Sequence, residues 1–158
     1  LIMAVNAPLS KFKRNNLIIY IVILLAASAY FAYDGHLNES FIEKHTKNYG
    51  TPEAKPDGTL VFNRKAPFVL LPLAGILGIY LAAVINKKVV ADEQRLKVNN
   101  KEIPYDSIEA IDKTNYESKG YYIIKYKDSS GNPQQQKISR NTYDNTDELL
   151  DELVAKIS

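Results

Sequence analysis

Between Pro67 and Asn86 the chain carries no Asp, Glu, Lys, Arg or His, and the only polar side chains are Tyr80 and Asn86. As a helix rising 1.5 Å per residue, this run is about 30 Å long, the thickness of a bilayer's hydrocarbon core. A second uncharged run, Leu17 to Tyr33, lies upstream. A chain of 158 residues has little soluble core in which to hide both. The reading that follows is two membrane crossings, the second leading into a soluble domain. Two core helices of a soluble bundle are the alternative.

The whole-chain composition matters less than its distribution, because the apolar residues fall in two blocks and the remainder is strongly polar. Twenty basic against 18 acidic residues, a net charge of +2, argue against a dominant nucleic-acid surface. There is no cysteine, which removes disulfides, thiolate metal sites and cysteine nucleophiles. The chain begins Leu1-Ile2-Met3, so the initiator is either Met3 or Leu1 read from a non-standard codon.

Residues 1–16 form a polar N-terminal segment ending in Lys11, Lys13 and Arg14. A positive flank before an apolar stretch is also the pattern of a signal peptide, with Ala27-Ser28-Ala29 as the cleavage site. The 17-residue apolar stretch is long for that purpose, and a first transmembrane helix over 17–33 is preferred. Tyr20 near one end and Tyr30, Phe31 and Tyr33 near the other suit the headgroup level. The second helix covers 67–86, with an extracytoplasmic loop at 34–66. Lys and Arg flank the helices at Lys11, Lys13, Arg14, Lys87 and Lys88 without nearby acids, whereas the loop holds five acids and five bases. The positive-inside rule therefore puts both termini in the cytoplasm. Arg64 and Lys65, beside the second helix on the other side, run against this assignment.

In the loop, Asn38 is a candidate cap for a short helix through Glu39, Phe41, Ile42 and His45, and Pro52 and Pro56 break its continuation. Asp57-Gly58 reads as a turn before an extended Thr59-Leu60-Val61-Phe62. His36 and His45 are nine apart, with no third ligand at fitting spacing, and read as solvated. Asn38-Glu39-Ser40 is a glycosylation sequon by pattern.

Along the second helix, Ala74, Gly78 and Ala82 recur every fourth residue, a row of small side chains that allows close helix approach in lipid. The partner is the chain's own first helix, through Ser28 and Ala32, or another membrane subunit. Pro72 is expected to kink the helix.

Residues 87–158 then change to short alternating stretches. Arg95–Val98 and Lys101–Ile103 flank an Asn99-Asn100 hairpin turn, and Pro104 ends the second strand. Tyr105–Ile108 reads as a short turn, and Ile108–Asp112 starts another extended piece. Tyr121–Lys127 reads as a strand with Tyr122, Ile124 and Tyr126 on one face. A turn at Asp128–Asn132 leads to a polar edge strand, Pro133–Ser139, anchored by Ile138. Last comes an amphipathic helix with Asn145 and Glu148 as a capping box and an apolar stripe of Leu149, Leu150, Leu153, Val154 and Ile157. The predicted fold is a two-helix transmembrane hairpin plus a small α+β domain, an antiparallel roll closed by a C-terminal helix.

The run R-L-K-V-N-N-K-E-I-P-Y-D-S-I-E-A-I, then Y-Y-I-I-K-Y, then the closing helix, resembles the bacterial pleckstrin-homology-like (PH-like) domain over about residues 88–158. That family commonly follows one or two membrane helices. The unit is short for the family, by a strand that is either missing or drawn from residues read as linker. The resemblance carries no catalytic residues and implies a protein-interaction or assembly role.

Nucleotide-binding, zinc-protease and serine-hydrolase motifs are missing from the sequence. Neither apolar run contains an ionisable acid or base for a proton path. The expected function is a non-catalytic, membrane-anchored interaction or assembly module, an accessory subunit of a larger complex in the bacterial inner membrane. No cofactor, metal, nucleic acid or small-molecule substrate is implied, and the partners are membrane lipids and other integral subunits. The first alternative is an anionic-lipid sensor using Lys87, Lys88, Arg95, Lys97 and Lys101. Residues 87–158 contain 12 bases and 13 acids, which weakens it. A small enzyme or transporter subunit is the second alternative.

Overall fold

A computed structural model describes residues 4–157. Leu1, Ile2 and Met3, and with them the choice between two starts, lie outside the described residues, as does Ser158. In chain order the elements begin β1 (Val5–Pro8), α1 (Lys11–His36), α2 (Glu39–Lys44), β2 (Thr46–Lys47), β3 (Lys55–Pro56), α3 (Gly58–Lys65) and α4 (Pro67–Val84). They continue β4 (Lys88–Ala91), β5 (Arg95–Val98), β6 (Lys101–Pro104), β7 (Ile108–Asp112), α5 (Tyr116–Lys119), β8 (Tyr121–Lys127), β9 (Pro133–Ser139) and α6 (Thr146–Ile157). The chain divides into two units: Asn16–Ala82, and a discontinuous one made of the residues up to Asn15 and from Ala83 onward.

The discontinuous unit is an α+β domain with two antiparallel sheets, one in the order β1-β4-β5-β6 and one in the order β7-β8-β9. Its hairpins follow local turn chemistry. Asn99 takes φ 56° between β5 and β6, a left-handed conformation that Asn tolerates. The Asp128 carboxylate accepts from the Ser130 and Asn132 amides between β8 and β9, where Gly131 has φ 81°. Alternation along β8 sends Tyr122, Ile124 and Tyr126 into the core, where they meet Val89, Leu96, Ile103 and Ile138, and Leu149 and Leu153 of α6. The Tyr122 hydroxyl is buried and makes no hydrogen bond among the described residues.

The first sheet is completed from the far end of the sequence. Val5 to Pro8, part of the segment read as a polar N-terminal stretch, pair with Ala91 to Lys88. Ala7 is fully buried. The other edge of this stretch is also occupied: the Asp144 amide donates to the Pro8 carbonyl at 2.9 Å, the Ser10 amide to Thr142 at 2.9 Å, and Asn145 Nδ2 to the Asn6 carbonyl at 3.1 Å. The Asn145 side-chain nitrogen thus ties β1 to the residue before α6. Its residue sits at φ 55°, and its carbonyl accepts the first helical bond, from Leu149. Of the expected apolar stripe on α6, Leu149, Leu150 and Leu153 are buried, with Val154 and Ile157 half-buried.

The unit Asn16–Ala82 is helical apart from a two-residue ladder, β2 with β3. Both long apolar runs are helices. The first is longer than the 17–33 expectation, because helical structure extends back through the polar residues from Lys11 and on to His36. The second ends at Val84 rather than at residue 86, and Pro72 lies inside it. The expectation of an extended Thr59–Phe62 is overturned, since these residues lie in α3. Asp57 decides this: its Oδ1 accepts from the Leu60 amide at 2.9 Å, a helix N-cap that overrides the β-forming tendency of Thr59, Val61 and Phe62. Through Ala66, which has helical φ and ψ, α3 runs on into α4. Gly58–Val84 and Lys11–His36 are each long and apolar enough to cross a membrane.

Candidate membrane and partner interface

Most apolar side chains of the two long helices are not covered by the rest of the chain. Phe68 is 77% exposed, Ile79 74%, Ile76 62% and Val22 57%. Only 6% of the apolar window in α1 and 17% of that in Gly58–Val84 is buried. A core helix of a soluble bundle would be covered on most sides. Exposed apolar surface on this scale is of the kind that marks membrane or protein interaction sites.

Each helix keeps one narrow, less exposed strip. On α1 it includes Leu24, Ala27, Ser28, Phe31 and Ala32; on α4 it includes Leu70, Ala74, Leu77, Gly78 and Leu81. The sequence-derived packing residues divide unevenly between strip and surface. Ser28 and Ala74 are buried, Ala32 and Gly78 are half-buried, and Ala82 is exposed. A Cβ built on Gly75 or Gly78 meets nothing within 4 Å, so no backbone among the described residues approaches closely there.

The close approach lies at a residue the sequence reading passed over. A Cβ on Gly35 would lie 3.0 Å from the Arg64 nitrogen and 3.1 Å from the Asn63 carbonyl carbon, both backbone atoms of α3. Arg64 Nε donates to the Gly35 carbonyl at 2.9 Å, and Phe31 packs edge-on against Phe62 with centroids 5.3 Å apart. Gly35 sits beside Asp34, whose Oδ1 accepts from Asn38 Nδ2 at 2.8 Å, while Asn38 Oδ1 accepts from the Phe41 amide. Asn38 therefore caps α2 as expected, and its sequon nitrogen is already hydrogen-bonded.

His36 is exposed at the end of α1, but His45 is not merely solvated. Its Nδ1 lies 2.8 Å from Asp57 Oδ2, and its ring stacks 4.3 Å from Phe41. The Leu60 amide, followed by the His45 hydrogen bond, holds the Asp57 carboxyl below its ordinary range. The contact ties the end of α2 to the cap of α3. Among the described residues no cluster of three His, Asp or Glu could hold a metal ion.

The five flanking bases fall in the α+β unit. Lys11, Arg14, Lys87 and Lys88 are exposed and Lys13 is half-buried. The Lys11 amide, at the start of α1, donates to Asp144 Oδ2 at 3.1 Å, an acid placed at the positive end of the helix dipole. Of the other bases considered for a lipid surface, Arg95 pairs with Glu102 at 2.5 Å and Lys97 with Asp92 at 3.0 Å. Lys101 lies 5.0 Å from the centre of the Tyr126 ring. Burial alone would raise the Asp92 carboxyl. The Gln94 amide, the Lys97 ammonium and the Arg95 amide outweigh burial and bring it down to about 2.

The densest polar cluster on the α+β unit joins α5 to the start of α6. Tyr116 donates to Asp147 Oδ1 at 2.6 Å, Arg140 Nη2 donates to the same oxygen at 2.6 Å, and the guanidinium lies 4.1 Å above the Tyr116 ring. Burial first, then the bond to Asp147, raises the Tyr116 phenol, and Tyr116 and then Arg140 lower the Asp147 carboxyl. Each group satisfies the others, so the cluster works as a clamp between α5 and the start of α6. Its members are far apart in sequence, and no local motif signals them. Comparison with known protein families, with curated proteins and with solved structures finds no match to this chain.

Proposed function

We propose that this protein is a non-catalytic, membrane-anchored interaction module: its two long helices cross a bilayer as a hairpin, and its α+β domain docks a partner within a larger membrane assembly. One observation carries the reading. The chain leaves the domain after β1 and re-enters it at β4, its direct neighbour in the sheet, so an even number of crossings is required of whatever lies between. What lies between is a pair of mostly uncovered apolar helices. The flanking Lys11, Lys13, Arg14, Lys87 and Lys88 favour the cytoplasm for the domain and for both termini, in a bacterial inner membrane. The open surface at Gly75 and Gly78 is available to a helix of another subunit.

The resemblance to the bacterial PH-like domain belongs to the same reading. It is supported by the two antiparallel sheets accompanied by α6, and by Val5–Pro8, which adds a strand to the first sheet beside β4. Because the chain has no cysteine, a single cysteine is a unique topological label. With a membrane-impermeant thiol reagent on intact cells, Glu53→Cys is expected to react and Asn100→Cys to react only after permeabilisation. Equal labelling of both in intact cells refutes the hairpin. Migration as a lone 17.8 kDa chain in every mild detergent refutes the assembly role. A surface for anionic lipid, built from Lys11, Arg14, Lys87 and Lys88, is the second reading, favoured by their common exposure on one unit. It predicts salt-sensitive retention on anionic vesicles.

A further inference from the structure

A shallow groove of 270 Å³ lies within the helical unit, lined by Phe31, Phe62, Lys65, Ala66, Val69 and Leu70. Its lining is almost wholly apolar, and among the described residues Lys65 is the only charged side chain on it. The volume falls below the roughly 300–1,000 Å³ that enclose a drug-sized ligand, so the groove accepts a segment of chain rather than a whole small molecule. Its place along the helices is specific. Phe31 stands near the end of the uncharged run of α1, three residues before Asp34, and the groove spans the change from Arg64-Lys65 to the uncharged Pro67–Asn86. In a spanning hairpin, that is the level at which an acyl chain meets its phosphate.

The charges at this level are not balanced. Asp34 is buried and bonded to Asn38, and Arg64 is held by the Gly35 carbonyl. Lys65 is exposed and pairs with no carboxylate among the described residues. An exposed lysine over an apolar trough, on the side where a crossing helix is normally poor in bases, is explained by a negatively charged headgroup. We propose that this groove is a binding site for an anionic phospholipid: one acyl chain lies against Phe31, Phe62, Val69 and Leu70, and the Lys65 ammonium meets the phosphate. The assignment rests on the hairpin reading, and its test separates the two.

The chain contains no tryptophan, so one introduced indole reports one position. The full chain carrying Phe62→Trp is reconstituted in equimolar phosphatidylcholine and phosphatidylglycerol, with bromine on the acyl chains of one lipid or the other. Ile76→Trp, on the exposed middle of α4, serves as the membrane control. The groove indole is expected to be quenched by brominated phosphatidylglycerol with a preference of roughly fivefold, which one lysine near a lipid surface supplies. The control is expected to be quenched equally by both lipids, and adding Lys65→Gln to Phe62→Trp removes the preference. Quenching of the control by neither lipid overturns the hairpin and the site together. With the control quenched, equal quenching at the groove overturns the anionic site alone. Quenching at the groove by neither lipid overturns it too, showing that protein, either a second copy or another subunit, covers the trough. A preference that survives Lys65→Gln overturns the role of Lys65.

Discussion

Placing Asp at position 7 tests whether the first residues of the chain belong to the α+β core. Ala7 is fully buried opposite Val89, whereas its neighbour Asn6 is exposed on the other face of β1. Ala7→Asp would bury a carboxylate without a partner, at a cost of about 3–5 kcal/mol, while Asn6→Asp, a surface change, should stay within about 0.5 kcal/mol. The unit holds 15 plus 76 residues, 91 in all, for which a total stability of roughly 5–14 kcal/mol is ordinary. The substitution therefore removes a large part of it. Pulse proteolysis of the detergent-solubilised full chain across a urea series reads the domain without requiring the helices to unfold. With a urea dependence of about 1–3 kcal/mol per molar, the midpoint should fall by about 1 M or more for Ala7→Asp and barely move for Asn6→Asp. Equal midpoints for the two variants would show that β1 is not in the core, and the even-crossing argument would lose its basis.

Four further outcomes follow from particular contacts. Gly35→Ala drives a methyl group into the α3 backbone and should cost about 1–3 kcal/mol in detergent unfolding, whereas Gly78→Ala, with open space around it, should cost nothing measurable. Tyr122→Phe removes a buried hydroxyl that has no partner among the described residues, and should leave domain stability unchanged or raise it by up to about 1 kcal/mol. Asp92 is held at about 2, below its ordinary 3.8, so its contribution is complete above pH 3.8 and lost as pH falls toward 2. Asp92→Asn should therefore cost on the order of 1–2 kcal/mol at pH 7, and the gap to the unmodified protein should close between pH 4 and pH 2; a gap independent of pH would contradict the assignment. Tyr116→Phe removes a donor to Asp147 and should destabilise the domain by about 1–2 kcal/mol, read by the same protease assay.

The candidate interface was partly legible in the sequence. Lack of charge over 17–33 and 67–86 is a property of composition, and it marks two helices wherever they end up. The row Ala74, Gly78 and Ala82 was equally visible, but whether a backbone lies against it depends on a partner helix that local pattern does not specify. No local pattern singles out Gly35, and only its 3.0 Å approach to Arg64 gives it a purpose. Phe31, Phe62 and Lys65 are 31 and 3 residues apart along the chain, and a groove between them exists only once α1 and α3 are packed.

What the amino-acid order determined by itself is what short-range physics encodes. The Asn99-Asn100 hairpin, the turn at Asp128–Asn132, the alternation of β8 and the stripe of α6 each follow from residues within a few positions of one another. The tertiary structure decided the rest, because the interactions involved are long-range. Val5-Asn6-Ala7-Pro8 is too short and too weakly patterned to announce a strand; it becomes one because β4 and residues 142–145 offer hydrogen bonds on its two edges. Thr59–Phe62 had strand-like side chains, yet the Asp57 cap and continuity into α4 made it helical. Patterning sets which faces are apolar, and only the packed chain decides what those faces meet.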